Sequence, residues 1–403
     1  MNTAQQVDIL SPQFKANPFP LLARLRAEQP VCRITLPDKT PVWLVTRYKD
    51  VKTLLTDERF AKSRYNALTP EQLRKQPWVP PMFRPLERTM VDLDPPDHTR
   101  LRQFVHKAFT PRLIEQMQDR VQTLANDLLD AVARKGEMDL IREYALPLPM
   151  TIITEILGVP VQDRDKFHKW SKVIVAVDQF NANWRVIPAI WKFNRYLRGH
   201  FKARRADLRD DLVSALIQAE EAGDRLSEDE LLAMTFLLLV AGHETTVNLI
   251  GSGALELLQH PDQMNKLRRD SSLIKSAVEE LLRYTAPVFM STERYAREDV
   301  TIQGVTISRG EMTLGVIGSA NRDETVFENP DILDIEREPN KHLSFGHGIH
   351  YCLGAALARL EAQIAINTLL ERMPNLRLKG SPESLRWRRS LILRGLAALP
   401  VEI

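Results

Sequence analysis

Residues 342–362 read HLSFGHGIHYCLGAALARLEA and gather three histidines, three glycines and Cys352, one of only two cysteines in the chain. Such a set can hold a phosphate, a metal or a prosthetic group. A phosphate loop fits poorly, because Gly346, Gly348 and Gly354 have the wrong spacing and no Lys-Ser/Thr follows. Zinc would need His342, His347, His350 and Cys352 to converge, whereas structural zinc sites usually draw ligand pairs from two separated places and no second pair is at hand. A single axial thiolate for haem iron is the third reading. Cys352 immediately precedes a helical pattern, whose N-terminal amides and dipole favour negative sulfur. Gly348 permits a tight turn, Gly354 lets the backbone approach a flat macrocycle, and Phe345 can shield the sulfur from water. On these residues alone, a buried inert cysteine at a loop-to-helix corner stays open as the alternative.

A second set lies in AMTFLLLVAGHETTVNLIGSGALELL, residues 233–258. The apolar pattern predicts a helix spanning roughly 39 Å. Its one polar interruption is Ala241-Gly242-His243-Glu244-Thr245-Thr246. Glycine and two β-branched threonines weaken a helix locally, and a Thr245 hydroxyl can bond the Ala241 carbonyl and open it. A carboxylate such as Glu244 is costly on a buried face unless it has a partner or a task. A polar stripe facing solvent is the plain alternative.

The elements that must position these residues are mostly helices. Helical patterns run over roughly 18–29, 48–56, 110–135, 149–157, 162–176, 184–206, 209–221, 227–259, 261–269, 272–285 and 354–373. Ser227 with Glu230 forms a capping box, and Ser11-Pro12 and Thr110-Pro111 place proline at a first helical position. Strand patterns are short: VCRITL (31–36) with VWLVTR (42–47), a second hairpin at 300–307 pivoting on Gly304, and a patch near the C-terminus. The fold class expected is mainly α with small β-sheets, as one domain over 1–403. Hydrophobic residues make up 44% and charged residues 27%, which argues against disorder. With 55 Lys plus Arg against 52 Asp plus Glu, the net charge of +3 gives no reason to expect nucleic acid. Cys32 and Cys352 form no disulfide framework, no secretory signal is visible, and the apolar run 236–242 is too short to span a bilayer. A cytoplasmic protein without a membrane anchor is expected.

FGHGIHYCLG resembles the haem-binding loop of cytochromes P450, Phe-x-x-Gly-x-x-x-Cys-x-Gly, at Phe345, Gly348, Cys352 and Gly354, and the resemblance extends over nearly the whole chain. It implies haem b as cofactor, held between the long central helix and the cysteine-loop helix, with Cys352 as the iron's axial ligand. AGHETT resembles the oxygen-activation segment, with Ala241 beside the haem and Glu244 and Thr245 delivering protons for O–O cleavage. Family members that use peroxide directly replace this pair, so electron-driven activation of O2 is implied. EELLRY resembles the family's E-x-x-R helix, which implies an ion-pair network of Glu280 and Arg283 with Arg337. His98, Arg102, Arg294 and His342 match positions that bind the haem propionates, and His350 can reach one as well.

The substrate side is less patterned. Trp78, Met82, Phe83, Phe180, Val288, Phe289, Met290 and Leu391 are the expected pocket residues, and core packing is the plain alternative for each. Together they suggest a roomy apolar pocket for a hydrophobic molecule such as a polyketide or macrolide, a fatty acid, a terpenoid or a steroid. The expected reaction is hydroxylation or epoxidation by a monooxygenase resembling soluble bacterial P450s. No flavin or iron–sulfur segment is recognised, so electrons are expected from a ferredoxin or flavodoxin and its NAD(P)H-dependent reductase, docking near Lys107, Arg112 and His347 on a monomeric enzyme. A non-catalytic haem sensor or carrier, and an enzyme acting on a carrier-protein-bound substrate, are the competing classes.

Overall fold

Alternating apolar residues fold the first strand pattern into a hairpin. β1 (Val31–Thr35) runs antiparallel to β2 (Pro41–Val45), with Val31 opposite Val45 and Thr35 opposite Pro41. The computed structural model describes residues 8–74, 88–164, 166–167, 169–170, 187–221 and 226–403. Trp78, Met82, Phe83 and Phe180 lie outside the described residues, as does most of the helix expected at 162–176. The remaining strands are β3 (Phe60–Ala61), β4 (Glu137–Asp139), β5 (Arg294–Ala296), β6 (Val300–Ile302), β7 (Val305–Ile307), β8 (Met312–Gly315), β9 (Arg377–Leu378) and β10 (Pro400–Glu402).

The hairpin is part of a five-stranded sheet in the order β1-β2-β8-β5-β3. β8 pairs parallel to β2, Val42 opposite Met312 and Val45 opposite Gly315, while β5 pairs antiparallel to both β8 and β3. β6 and β7 form the second hairpin, turning at Gln303 and Gly304 with φ of +51° and +76°, as a two-residue primed turn requires. The C-terminal patch is β4-β10-β9, and β4 was not expected.

Helices fill most of the rest. The caps read from sequence are in place: Ser227 N–H donates to Glu230 Oε2 at 2.7 Å, and Glu230 N–H donates to Ser227 Oγ at 3.2 Å. The Phe14 amide donates to Ser11 Oγ, and the Leu113 amide to Thr110 Oγ1. The long helix, Glu228–Gln259, is continuous through residues 241–246. Its buried flanks, Leu239, Val247 and Ile250, hold the helical path on either side of the polar segment. By length and composition this helix passes for a membrane span, but 56% of the qualifying window is buried inside the protein.

Contacts divide the chain into two compact units: Met1–Thr69, Gln118–Leu148 and Thr245–Ile403 form the first, Pro70–Met117 and Pro149–Glu244 the second. In the first unit, a core cluster joins Leu249 and Leu257 of the long helix to Val278 and Leu281 of the helix Ile274–Thr285 and to Ile366 of the helix Ala355–Arg372. Phe345 and Ala355 belong to this cluster and Cys352 packs against it, so the cysteine loop is anchored on a close-packed base.

Phe289 is fully buried and sets its ring against Phe14 and Phe19, at centroid distances of 6.2 Å each. Gly318 lies beneath that ring, where an added Cβ would come within 2.2 Å of it. Gly318→Ala is expected to cost about 1–3 kcal/mol through overpacking. The readout is the midpoint of denaturant unfolding, and an unchanged midpoint would show the ring free to move aside.

Candidate functional site

Cys352 is reached by a loop whose turns are set by glycine. Gly346 and Gly348 have φ of +73° and +76°, in the left-handed region that side-chain-bearing residues disfavour. At Gly348 a Cβ would also approach Leu55 O to 3.2 Å. The loop closes on itself: the Gly346 amide donates to Leu343 O, Tyr351 to Gly348 O, and Cys352 to Phe345 O at 2.8 Å. The half-buried Cys352 therefore stands just before the helix Ala355–Arg372, whose N-cap is Gly354. Phe345, at 9% exposure, is covered by the Arg359 guanidinium 4.4 Å from its centroid.

The strand of chain leading into this loop is pinned by a buried ion-pair network. Arg283 grips Glu280 through Nε–Oε2 at 2.7 Å and Nη2–Oε1 at 2.8 Å, with both side chains fully buried. Arg337 Nε adds bonds of 3.2 Å to each Glu280 oxygen, and the Asp334 amide and Asn340 Nδ2 also donate to that carboxylate. The remaining guanidinium N–H groups donate to the carbonyls of Asn321, Glu328, Asn329, Pro330 and Ile332. Spread over so many bonds, the buried charges are compensated.

His342 requires a correction. Its Nε2 is 3.1 Å from Glu279 Oε2, and its Nδ1 accepts from the Ser344 amide at 3.2 Å. Both ring nitrogens are thus used by the protein, and none is left for a propionate. Glu279 also takes a two-pronged bond from Arg359, at 2.6 and 2.7 Å. Burial opposes ionisation of Glu279, but Arg359 and His342 overcome it and hold the carboxyl down at about 2. Sequence reading did not find this second network, since no helical spacing links Glu279 to residues 342 and 359.

In the second unit, Glu244 sits in mid-helix with its side chain 13% exposed. His243 beside it is buried, with Nδ1 2.7 Å from Leu239 O and Nε2 3.6 Å from Glu244 Oε1. The short contact to a carbonyl requires the proton on Nδ1. His243 was also missed, because a lone histidine in an apolar helix gives no signal of its partner. Gly242 lies against Ile153, while Ala241 is exposed in the middle of an otherwise apolar helix. His98 is buried and Arg102 half-buried on the helix Asp97–Ala108. Burial, then the Arg102 charge, pushes His98 below the ordinary imidazole value, against a pull from Asp94. Lys107 and Arg112 are exposed in this unit. In the first unit Arg294 is buried in β5, while His350 and His347 are half-buried.

The cysteine loop of the first unit suits a haem. A thiol stands before a helix N-terminus, and an added Cβ on Gly354 would meet no protein atom within 4 Å. The long helix is open at Ala241. Of the expected pocket residues, Met290 and Leu391 are buried and Val288 is half-buried, bridged to Leu393. Phe289 is a correction: its fully buried ring packs edge-on against Phe14 and Phe19 and so serves the core.

The cytochrome P450 family profile matches residues 9–383. The chain is 45% identical to the polyketide biosynthesis cytochrome P450 PksS of Bacillus subtilis (strain 168), over 97% of each chain. The solved PksS structure has a TM-score of 0.92 and covers 98% of this chain and 99% of its own. Vitamin D(3) 25-hydroxylase of Pseudonocardia autotrophica is 46% identical over 98% of this chain and 96% of its own. P450BioI, solved in complex with an acyl carrier protein ligated to hexadec-9Z-enoic acid, is 40% identical at a TM-score of 0.87, covering 98% of this chain and 100% of its own.

Two variants test the electrostatics. Glu280→Ala strands buried Arg283 and should cost about 3–5 kcal/mol, read as a lowered Tm. Glu361, on the helix Ala355–Arg372, gives the opposite kind of test. It is 1% exposed, neither oxygen has a well-formed hydrogen bond among the described residues, and burial pushes its carboxyl up to about 8 against a smaller pull from the Thr246 hydroxyl. A folded-state value raised above the ordinary 4.5 means stability present below 4.5 and lost as pH rises through about 8. The Tm of Glu361→Gln relative to wild type should therefore climb with pH across that window. A pH-independent difference would remove this carboxyl as the cause.

Proposed function

Because the chain belongs to the cytochrome P450 family, and its relatives act as monooxygenases, we propose that it oxygenates a hydrophobic small molecule of polyketide or long-chain acyl type at an active site built on Cys352. The observation that carries this reading is the loop itself: a half-buried cysteine whose backbone N–H donates a hydrogen bond to Phe345 O, directly before a helix N-terminus with open space at Gly354. The chain is a haem-thiolate monooxygenase that uses O2 and electrons from a redox partner. When bound, haem with a thiolate ligand supplies O2 activation and transfer of one oxygen atom into a C–H bond.

The chain's own residues provide the setting. The helix-terminal amides ahead of Ala355 favour the thiolate form of Cys352. The Glu280–Arg283–Arg337 network holds the approach to the cysteine loop at a fixed position. His98, Arg102, Arg294 and His350 would hold the propionate carboxylates. Glu244 would store a proton on its carboxyl and Thr245 would pass one on through its hydroxyl, with His243 orienting the acid. Val288, Met290 and Leu391 would present apolar surface to the substrate. The polyketide and acyl preferences rest on PksS and on P450BioI with its acyl carrier protein, so both a free and a carrier-bound substrate are proposed for comparison. A separate ferredoxin or flavodoxin, a monomeric state, a single catalytic domain over 1–403 and a cytoplasmic location complete the proposal.

Reduced wild type with carbon monoxide is expected to show the red-shifted Soret band of thiolate ligation, and Cys352→Ser is expected to lose it. Folded holoprotein without that band would sink the assignment. Thr245→Ala should consume electrons while yielding several-fold less product. Equal product per electron pair would remove the relay role. Spectral shifts induced by a free fatty acid and by the same acyl chain on a carrier protein would separate the two substrate forms.

A further inference from the structure

The helix Ile187–Ala206 of the second unit stands out by its charge. It holds six cations, Lys192, Arg195, Arg198, Lys202, Arg204 and Arg205, and no aspartate or glutamate, whereas the whole chain sets 52 acids against 55 bases. Like charges at helical spacing repel one another, so a helix of this kind needs anions from other segments or from a partner.

Other segments supply only part of them. Arg198 donates to Glu228 Oε1 at 2.6 Å and to Asp229 Oδ1 at 2.7 Å. Arg204 is buried, with Nε 2.5 Å from Asp211 Oδ2 and Nη2 donating to Gly158 O at 2.6 Å. Lys192, Arg195 and Lys202 are exposed and carry no ion pair among the described residues. At 3.6 residues per turn, these three fall with Trp191 and Gly199 inside an arc of about 100°, a stripe roughly 15 Å long from Lys192 to Lys202.

The stripe also has an apolar anchor. Trp191 is 52% exposed, and the Arg195 guanidinium rests over its ring, 5.3 Å from the centroid. A groove of about 500 Å³ opens beside it, between Lys192, Arg195 and Gly199 on the helix and Pro160 and Trp170 opposite. The acid in that groove, Asp163, is already engaged by the Tyr196 hydroxyl and by Lys166 Nζ, each at 3.3 Å. Tryptophan and arginine are the residues that most often anchor protein interfaces.

We propose that this face docks the acidic surface of an acyl carrier protein, with Trp191 and Arg195 as anchors and Lys192 and Lys202 paired to carboxylates of the partner. This rests on the carrier-bound form of the substrate in the reading above. Carboxylates spaced along one acidic helix would meet the three cations, and an apolar side chain between them would enter the groove. Complementarity of this kind speeds encounter and fixes orientation, as a carrier must be oriented to deliver its acyl chain.

The test is isothermal titration of the full-length holoprotein with a palmitoyl-loaded acyl carrier protein at two salt concentrations. Saturable binding of one carrier per chain is expected, weakening as salt is raised. Lys192→Glu combined with Lys202→Glu should weaken it about tenfold or more, and Trp191→Ser to a similar degree. Gly199→Glu is an independent variant: an added Cβ there meets no atom within 4 Å, and the new acid stands one turn from both Arg195 and Lys202. It should weaken binding as well. Free palmitic acid is the control, and its Soret shift should be the same in wild type and variants, since it needs the haem site and not this face. Loss of that shift in wild type would count against the active-site reading, while carrier binding alone judges the docking face. Carrier binding that is absent, or that is unchanged in the charge-reversed variants, would overturn the proposal. Binding to vesicles of anionic phosphatidylglycerol with none to the carrier would overturn it too, by assigning the face to a membrane.

Discussion

A carboxylate and a guanidinium removed completely from water must find their compensation inside the protein, and the Glu280–Arg283 pair imposes that demand on the first unit. Three backbone carbonyls, one amide, Arg337 and Asn340 are drawn in to meet it, and Arg337 in turn leans on the carbonyls of Glu328, Asn329 and Ile332. Those groups come from residues 321–340, a stretch with little regular secondary structure of its own. The irregular path is thus held by charge where a helix or sheet ladder would otherwise hold it. The cysteine loop begins where this path ends, so the placement of the Cys352 sulfur depends on charges some 70 residues earlier in the chain.

The helices Ile274–Thr285 and Ala355–Arg372 carry two further acids that meet burial in opposite ways. Glu279 has Arg359 and His342 and stays ionised, whereas Glu361 has no comparable partner and is held protonated near neutrality. The difference lies in partners and not in depth alone.

Much of this was legible in sequence, and the reasons differ by feature. The Cys352 loop, the capping box at Ser227 and the two hairpins follow from local spacing and turn chemistry. Arg337 was found because the E-x-x-R pattern resembles a known family arrangement. His342 was misplaced because its type and position permit a propionate contact, while the competing Glu279 is remote in sequence. Phe289 was misplaced for a different reason: an apolar ring suits a pocket and a core equally, and its partners Phe14 and Phe19 are remote in sequence. β3, β4, β5 and β8 were overlooked because strands of two to four residues carry too few alternations to register as a pattern.

The sheet order β1-β2-β8-β5-β3 also has a temporal meaning. The hairpin of residues 31–45 is made well before residues 312–315, with which β2 pairs along its other edge. At ordinary synthesis rates, that edge waits on the order of tens of seconds for its partner to leave the ribosome. Throughout that interval a strand containing Val42, Leu44 and Val45 offers unpaired backbone to any other nascent chain nearby. The order of the sheet thus leaves an apolar early edge to be sheltered until residues 312–315 are made.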